Sequence, residues 1–127
     1  HPTAVRETLT ALKAAYGDRR LVAVFEPRTN SSRRAIFQQD YVTAFDGADA
    51  VLLREPLPLA NVAPEELFSS AQLAADLRRN GREEAGAFPD TDSLLAHLGA
   101  FLVAGDVVAI LSNGGFDNIH ERLLNAL

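Results

Sequence analysis

Two stretches of this chain carry side chains able to hold a ligand. Arg28-Thr29-Asn30-Ser31-Ser32-Arg33-Arg34 interleaves three guanidinium groups with short hydroxyl and amide side chains. Guanidinium forks meet carboxylates or phosphates through paired hydrogen bonds, so the run suits an anionic ligand. The bland alternative is a solvated basic turn that pairs with Glu26 or Asp40. If the run opens a helix, Arg33 and Arg34 oppose its dipole at roughly a few tenths of a kcal/mol each, which an arriving anion would offset. The second stretch is Ser112-Asn113-Gly114-Gly115-Phe116, directly after the apolar run Val107 to Leu111. Adjacent glycines admit positive φ and close backbone approach, and a helix beginning there adds the partial positive charge of its first turn. Such a turn holds an anion in some proteins and merely turns the chain in others.

Weaker candidates surround these two. Arg54 beside Glu55 offers a charge pair matched to a ligand carrying ammonium and carboxylate, or equally a surface salt bridge. His1, at the head of the first helix, and His120, just past the glycine turn, are further candidates for ligand contact. His97, among Leu94, Leu95, Leu98 and Phe101, reads as a helix-surface residue. Lys13 is the only lysine and sits mid-helix, a poor place for an amine nucleophile or a phosphate contact.

Absences narrow the chemistry. With no Cys there is no disulfide, thiolate nucleophile or cysteine-bound zinc, and three scattered His make no metal site. There is no phosphate loop of the Gly-x-x-x-x-Gly-Lys-Ser/Thr type, no Gly-x-Gly-x-x-Gly and no nucleophile elbow, so a complete ATP-using active site is not expected. A formal charge of −5 and a pI near 5.1 argue against nucleic-acid or anionic-membrane partners. No apolar run approaches the roughly 18 residues of a membrane span and no signal peptide opens the chain, which fits a cytoplasmic setting.

The positioning elements follow from periodicity. Apolar spacing at Ala4, Val5, Leu9, Leu12 and Tyr16 predicts a helix over about 3–16, capped by Gly17. Leu21 to Phe25 and Val107 to Leu111 are short uninterrupted apolar runs, the mark of strands covered on both faces, and Ala50 to Leu53 is a third. A second helix starts from a cap at Asn30 or Ser31 and ends near Gly47. Pro56 and Pro58 exclude regular structure across 54–63, and Pro64-Glu65-Glu66 resembles a first helical turn. Ser69 or Ser70 caps a third helix reaching Asn80-Gly81, Glu84 to Phe88 reads as a short weak strand, and Asp90 to Ser93 opens a fourth helix that Gly105 ends. The closing helix, from about Asp117, sets Ile119, Leu123, Leu124 and Leu127 on one stripe. Helix and strand alternate throughout 127 residues, which predicts one α/β domain: a Rossmann-like open, mostly parallel sheet with helices on both faces. Because the order begins on a helix, a first strand is expected upstream of His1. In such a sheet ligands gather at the carboxyl ends of the strands, and His1 to Thr3, 26–34, 54–60, 88–92 and 112–117 all leave that edge.

Placed in that order, His1-Pro2-Thr3-Ala4, Phe25 to Arg34 and Ser112 to Phe116 with Ile119-His120 resemble the C-terminal domain of the Mur ligases, most closely the murein peptide ligase branch. The likeness covers the whole chain. It implies the third domain of an ATP-dependent ligase, without its first strand and upstream domains. ATP would phosphorylate the lactyl carboxylate of UDP-N-acetylmuramate, and the amine of the tripeptide L-Ala-γ-D-Glu-meso-diaminopimelate would attack, releasing ADP and phosphate, in cell-wall peptide recycling. ATP and Mg2+ would be held mainly by the central domain, leaving this domain inactive alone. The resemblance assigns substrate contact to His1 and to Ser112, Asn113, Gly114, Gly115 and Phe116, and turns the loop with Arg28, Thr29, Asn30, Arg33 and Arg34 to the reaction centre; Arg54 and His120 join them as substrate-binding candidates, with no catalytic residue and no metal ligand expected. The competing reading is a free-standing α/β module that binds a small anion or regulates a partner.

Overall fold

Four runs that are apolar on both sides of the chain pair side by side. In a computed structural model, which describes residues 2–27, 38–56, 63, 68–112 and 116–127, β1 (Leu21–Phe25), β2 (Ala50–Arg54), β3 (Ala85–Phe88) and β4 (Val107–Leu111) form one parallel sheet in the order β3-β2-β1-β4. The central strands β1 and β2 are buried along their whole length, whereas the edges β3 and β4 are half-buried. Alternation divides each central strand between two cores. Leu21, Ala23, Phe25, Val51 and Leu53 face α1 (Pro2–Ala15), α2 (Gln38–Ala44) and α3 (Ser70–Arg79). Val22, Val24, Ala50 and Leu52 face α4 (Thr91–Phe101) and α5 (Ile119–Ala126). Each fully buried leucine, such as Leu9, Leu77 or Leu98, contributes about 2 kcal/mol by leaving water.

The expected helix signals hold where they can be read. Ser69 caps α3, its hydroxyl accepting from the Gln72 N–H at 3.1 Å, and Asp90 caps α4, accepting from the Ser93 N–H at 2.8 Å. That bond holds the Asp90 carboxyl below the usual carboxylate range. α4 ends at Phe101, before Gly105, because Leu102 is already extended. The ends of two predicted stripes are displaced: Ala4 and Tyr16 of the first helix are exposed, and so are Leu124 and Leu127 of the last. The buried residues on those helices are Pro2, Val5 and Leu9 on the first and Ile119 and Leu123 on the last. The start of the second helix and the turn at 64–66 lie outside the described residues.

The amino-terminal end of the sheet is closed by short contacts. Arg20 donates to both oxygens of Asp106, Nε at 3.1 Å and a terminal nitrogen at 2.6 Å, donates also to the Phe101 carbonyl, and lies 4.2 Å over the Phe101 ring. Asp49 accepts from the Leu21 N–H at 2.8 Å and from Lys13 at 3.1 Å. Both strands that flank β1 are thereby tied to its start.

Candidate functional site

Register alone assembles the carboxyl edge. Phe25 is level with Leu53 on one side and with Leu111 on the other, so the next residues, Glu26, Arg54 and Ser112, fall in one row, with Phe88 level with Arg54 beyond them. The two-residue alternation sends all three toward the α4 and α5 side, because Val24, Leu52 and Ile110 point there. The starts of those two helices then close over them.

The result is a buried polar chain across the loops of all four strands. The Ser112 hydroxyl donates to Glu26 Oε1 at 3.1 Å. Glu26 Oε2 stands 3.8 Å from Arg54 Nε, which itself donates to the Thr91 hydroxyl at 3.0 Å. The Thr91 hydroxyl in turn donates a hydrogen bond to Asp117 Oδ2 at 2.6 Å, and that carboxylate lies 3.6 Å from the Arg54 guanidinium. A further Arg54 nitrogen donates to the Glu55 carbonyl at 3.0 Å. Glu26 is 2% exposed and Arg54 8%, so one carboxylate and the guanidinium meet out of water, while the Asp117 carboxylate reaches them from the surface. Such groups are retained only when hydrogen bonds replace hydration, as they do here.

The backbone beside this chain is unusual. Phe116, Asp117 and Asn118 adopt φ of 47°, 49° and 61° in succession, and none is glycine. Left-handed residues with a Cβ cost on the order of 1 kcal/mol each, so the short turn Phe116–Asn118 is held from outside. Phe116 is buried with Leu94, Leu98 and Ile119, and Asp117 is held by Thr91 and Arg54.

These positions revise several expectations. Arg54 and Glu55 do not form a pair: neighbours on a strand point to opposite faces, and Glu55 Oε1 accepts instead from the Ser70 N–H at 2.8 Å. Arg54 is an interior group bonded within the protein, not an open cation. Phe116 is core, 1% exposed, and its ring is not presented to a ligand. His120 is exposed on the first turn of α5, and His97 is exposed while stacking between Phe88 and Phe101 at 5.0 and 5.3 Å. Glu26 is turned inward to Arg54 and Ser112. His1, Arg28, Thr29, Asn30, Arg33, Arg34, Asn113, Gly114 and Gly115 lie outside the described residues. Thr91 and Asp117 were not singled out as ligand groups; their signal is a hydroxyl at the first position of one helix and a carboxylate just before another, in a fold that sets both starts on one edge.

Among the described residues no three His, Asp or Glu side chains are grouped to hold a metal ion, and no helix is long and apolar enough to cross a membrane. Among the described residues of this edge, the carboxylates Glu26 and Asp117 both face Arg54.

Comparison with known proteins agrees with the geometry. Residues 1–114 match the family model described as Mur ligase, glutamate ligase domain. A UDP-N-acetylmuramate–L-alanine ligase of Geobacter sp. (strain M21) is 36% identical over 98% of the chain and 26% of its own length. The UDP-N-acetylmuramate–L-alanyl-gamma-D-glutamyl-meso-2,6-diaminoheptandioate ligase of Escherichia coli (strain K12) is 32% identical over 100% of the chain and 26% of its own length. The crystal structure of a murein peptide ligase from Psychrobacter arcticus 273-4 superposes with a TM-score of 0.74 at 32% identity, covering 99% of the chain and 25% of that protein. The chain therefore spans about a quarter of the length of the curated relatives it matches.

Proposed function

The chain belongs to the Mur ligase family, of which it carries the glutamate ligase domain, and from that membership we propose that it is the third domain of a cytoplasmic, ATP-dependent ligase joining UDP-N-acetylmuramate to the tripeptide L-Ala-γ-D-Glu-meso-diaminopimelate. The observation that carries the choice of a peptide substrate is the match of the entire chain, at 32% identity in both cases, to a ligase named for that peptide and to the solved murein peptide ligase. ATP phosphorylates the lactyl carboxylate, the peptide amine attacks the acyl phosphate, and an amide, ADP and phosphate result. Nucleotide, Mg2+ and the missing first strand belong to upstream parts of the whole protein, and the domain alone is inactive. Its task is to present the incoming amine substrate. Arg28, Arg33 and Arg34 supply forks for the peptide carboxylates, and the segment from Ser112 to Gly115, with His1 and His120 beside it, shapes the pocket.

A second reading has its own support: the 36% match is to an L-alanine ligase. The whole protein, incubated with UDP-N-acetylmuramate, ATP and either tripeptide or L-alanine, decides between them by phosphate release and by the mass of the product. A preference of about 100-fold or more in kcat/KM for the tripeptide is expected, since a site built for extra carboxylates loses their bonds with alanine. A preference for alanine establishes the second reading, and no turnover of either sinks both. Arg28→Ala is expected to raise the tripeptide KM far more than the KM for ATP.

A further inference from the structure

The polar chain at the carboxyl edge holds a shape as well as charge. The turn Phe116–Asn118 keeps three consecutive non-glycine residues in the left-handed region, which a chain does only when its surroundings leave no alternative. Besides the bonds that the turn makes to α5, from Asn118 to Glu121 at 2.8 Å and from Arg122 to the Asp117 carbonyl at 3.4 Å, it is anchored to the rest of the fold. The Phe116 ring is sunk in the core, and the Asp117 carboxylate is tied to Thr91 at 2.6 Å and to Arg54 at 3.6 Å. Thr91 links the two charged groups by accepting from Arg54 at 3.0 Å while donating to Asp117, a double task that needs a hydroxyl. Thr91 is itself buried at 3% exposure, and Arg54 is the last residue of β2, so the turn after β4 is referenced to a central strand and to the start of α4.

We propose that Arg54, Thr91 and Asp117 are positioning residues: a lock, rooted in the interior at Arg54 and Thr91, that holds the left-handed turn after β4 and thereby sets the affinity for the amine-bearing substrate. None of the three needs to touch that substrate. The lock acts through Phe116 and Asp117, the residues that follow Gly115 in the chain. The assignment rests on reading the chain as the amine-presenting domain of a ligase.

The test uses the whole protein with Thr91→Val, which keeps the shape and removes the hydroxyl, and Thr91→Ser, which keeps the hydroxyl. Thr91→Val should raise the KM for the amine substrate about ten-fold, with kcat and the KM values for ATP and UDP-N-acetylmuramate within about two-fold of the parent. Thr91→Ser should restore the parent KM. In hydrogen exchange read by mass spectrometry, peptides covering 116–120 should exchange about ten-fold faster in Thr91→Val, with β1 and β2 unchanged. An unchanged amine KM, equal rises in all three KM values, or a Thr91→Ser variant as impaired as Thr91→Val would overturn the lock. If the parent protein ligates nothing, the ligase reading fails on its own. Exchange alone then judges the lock, and unaltered protection across 116–120 overturns it.

Discussion

The two ends of the sheet are built from the same chemistry and use it oppositely. At the amino end Arg20 meets Asp106 through two direct hydrogen bonds, keeps one third of its side chain in water and lies flat on Phe101. At the carboxyl end Arg54 is inside, its distances to Glu26 and Asp117 are 3.8 and 3.6 Å, and a threonine stands between the charges. The first arrangement ties strands together through direct paired bonds, with its cation still partly in water. The second sinks charge into the fold, and it sits beside three left-handed residues. In the core on the other face of the sheet, the buried Tyr41 hydroxyl has no hydrogen-bond partner among the described residues. Stability is collected at one end and partly surrendered at the other, as expected when the surrendering end serves a ligand.

Substitutions probe this contrast, in descending order of expected effect. Arg54→Ala removes the guanidinium that two carboxylates share and should lower the unfolding free energy by about 3–5 kcal/mol, read by denaturant titration. Adding Glu26→Gln should recover part of the loss. Arg20→Ala should cost less, about 2 kcal/mol, because that side chain is already wet, and should leave the kinetics of the whole protein untouched. If Arg20→Ala proves the more damaging of the two, the contrast between the ends fails.

Acid sharpens the picture at the amino end. Hydrogen bonds from Arg20 hold the Asp106 carboxyl below the usual range. Burial pushes Asp49 up, but the Leu21 N–H and Lys13 outweigh it and the carboxyl also ends lower. Carboxylates depressed in the folded state contribute stability above their unfolded pKa of about 3.9 and lose it as pH falls through the folded values. Melting temperature should therefore drop as pH is taken from about 4 downward, and Asp106→Asn should melt lower at neutral pH yet flatten that drop. The smallest effect concerns Tyr41. Burial pushes its pKa up to about 12, and deleting an unpartnered hydroxyl as Tyr41→Phe should stabilise the protein by about 1 kcal/mol. A loss of stability instead would reveal a bond to that hydroxyl.

Much of the fold was legible because its signals are local. β1 and β4 begin and end where their apolar runs do, and Ser69 and Asp90 cap their helices as short polar residues before apolar periodicity should. Even the weak Ala85–Phe88 strand is present, held by pairing with β2 rather than by propensity, since it contains Gly86. The misplacements share one cause. Tyr16, Leu124 and Leu127 continue a helical stripe past the edge of the sheet they would cover, and periodicity gives a direction without a length. Arg54 was read with its neighbour Glu55 although strand alternation separates them, so that error was avoidable from the sequence. Its partnership with Thr91 and Asp117 was not.

By itself the sequence determined the parallel α/β class, the element order, and that the loops with Arg28 to Arg34 and Ser112 to Phe116 leave the same edge, because patterning, caps and right-handed crossovers act over short distances or follow from order. Only the tertiary structure decided that β1 lies between β2 and β4. That order puts Glu26, Arg54 and Ser112 in one row under Thr91 and Asp117, so that Arg54 is buried and bonded within the protein. Strand order and burial are set by packing between residues far apart in the chain, and no local pattern encodes which distant hydroxyl will fill the gap between two charges.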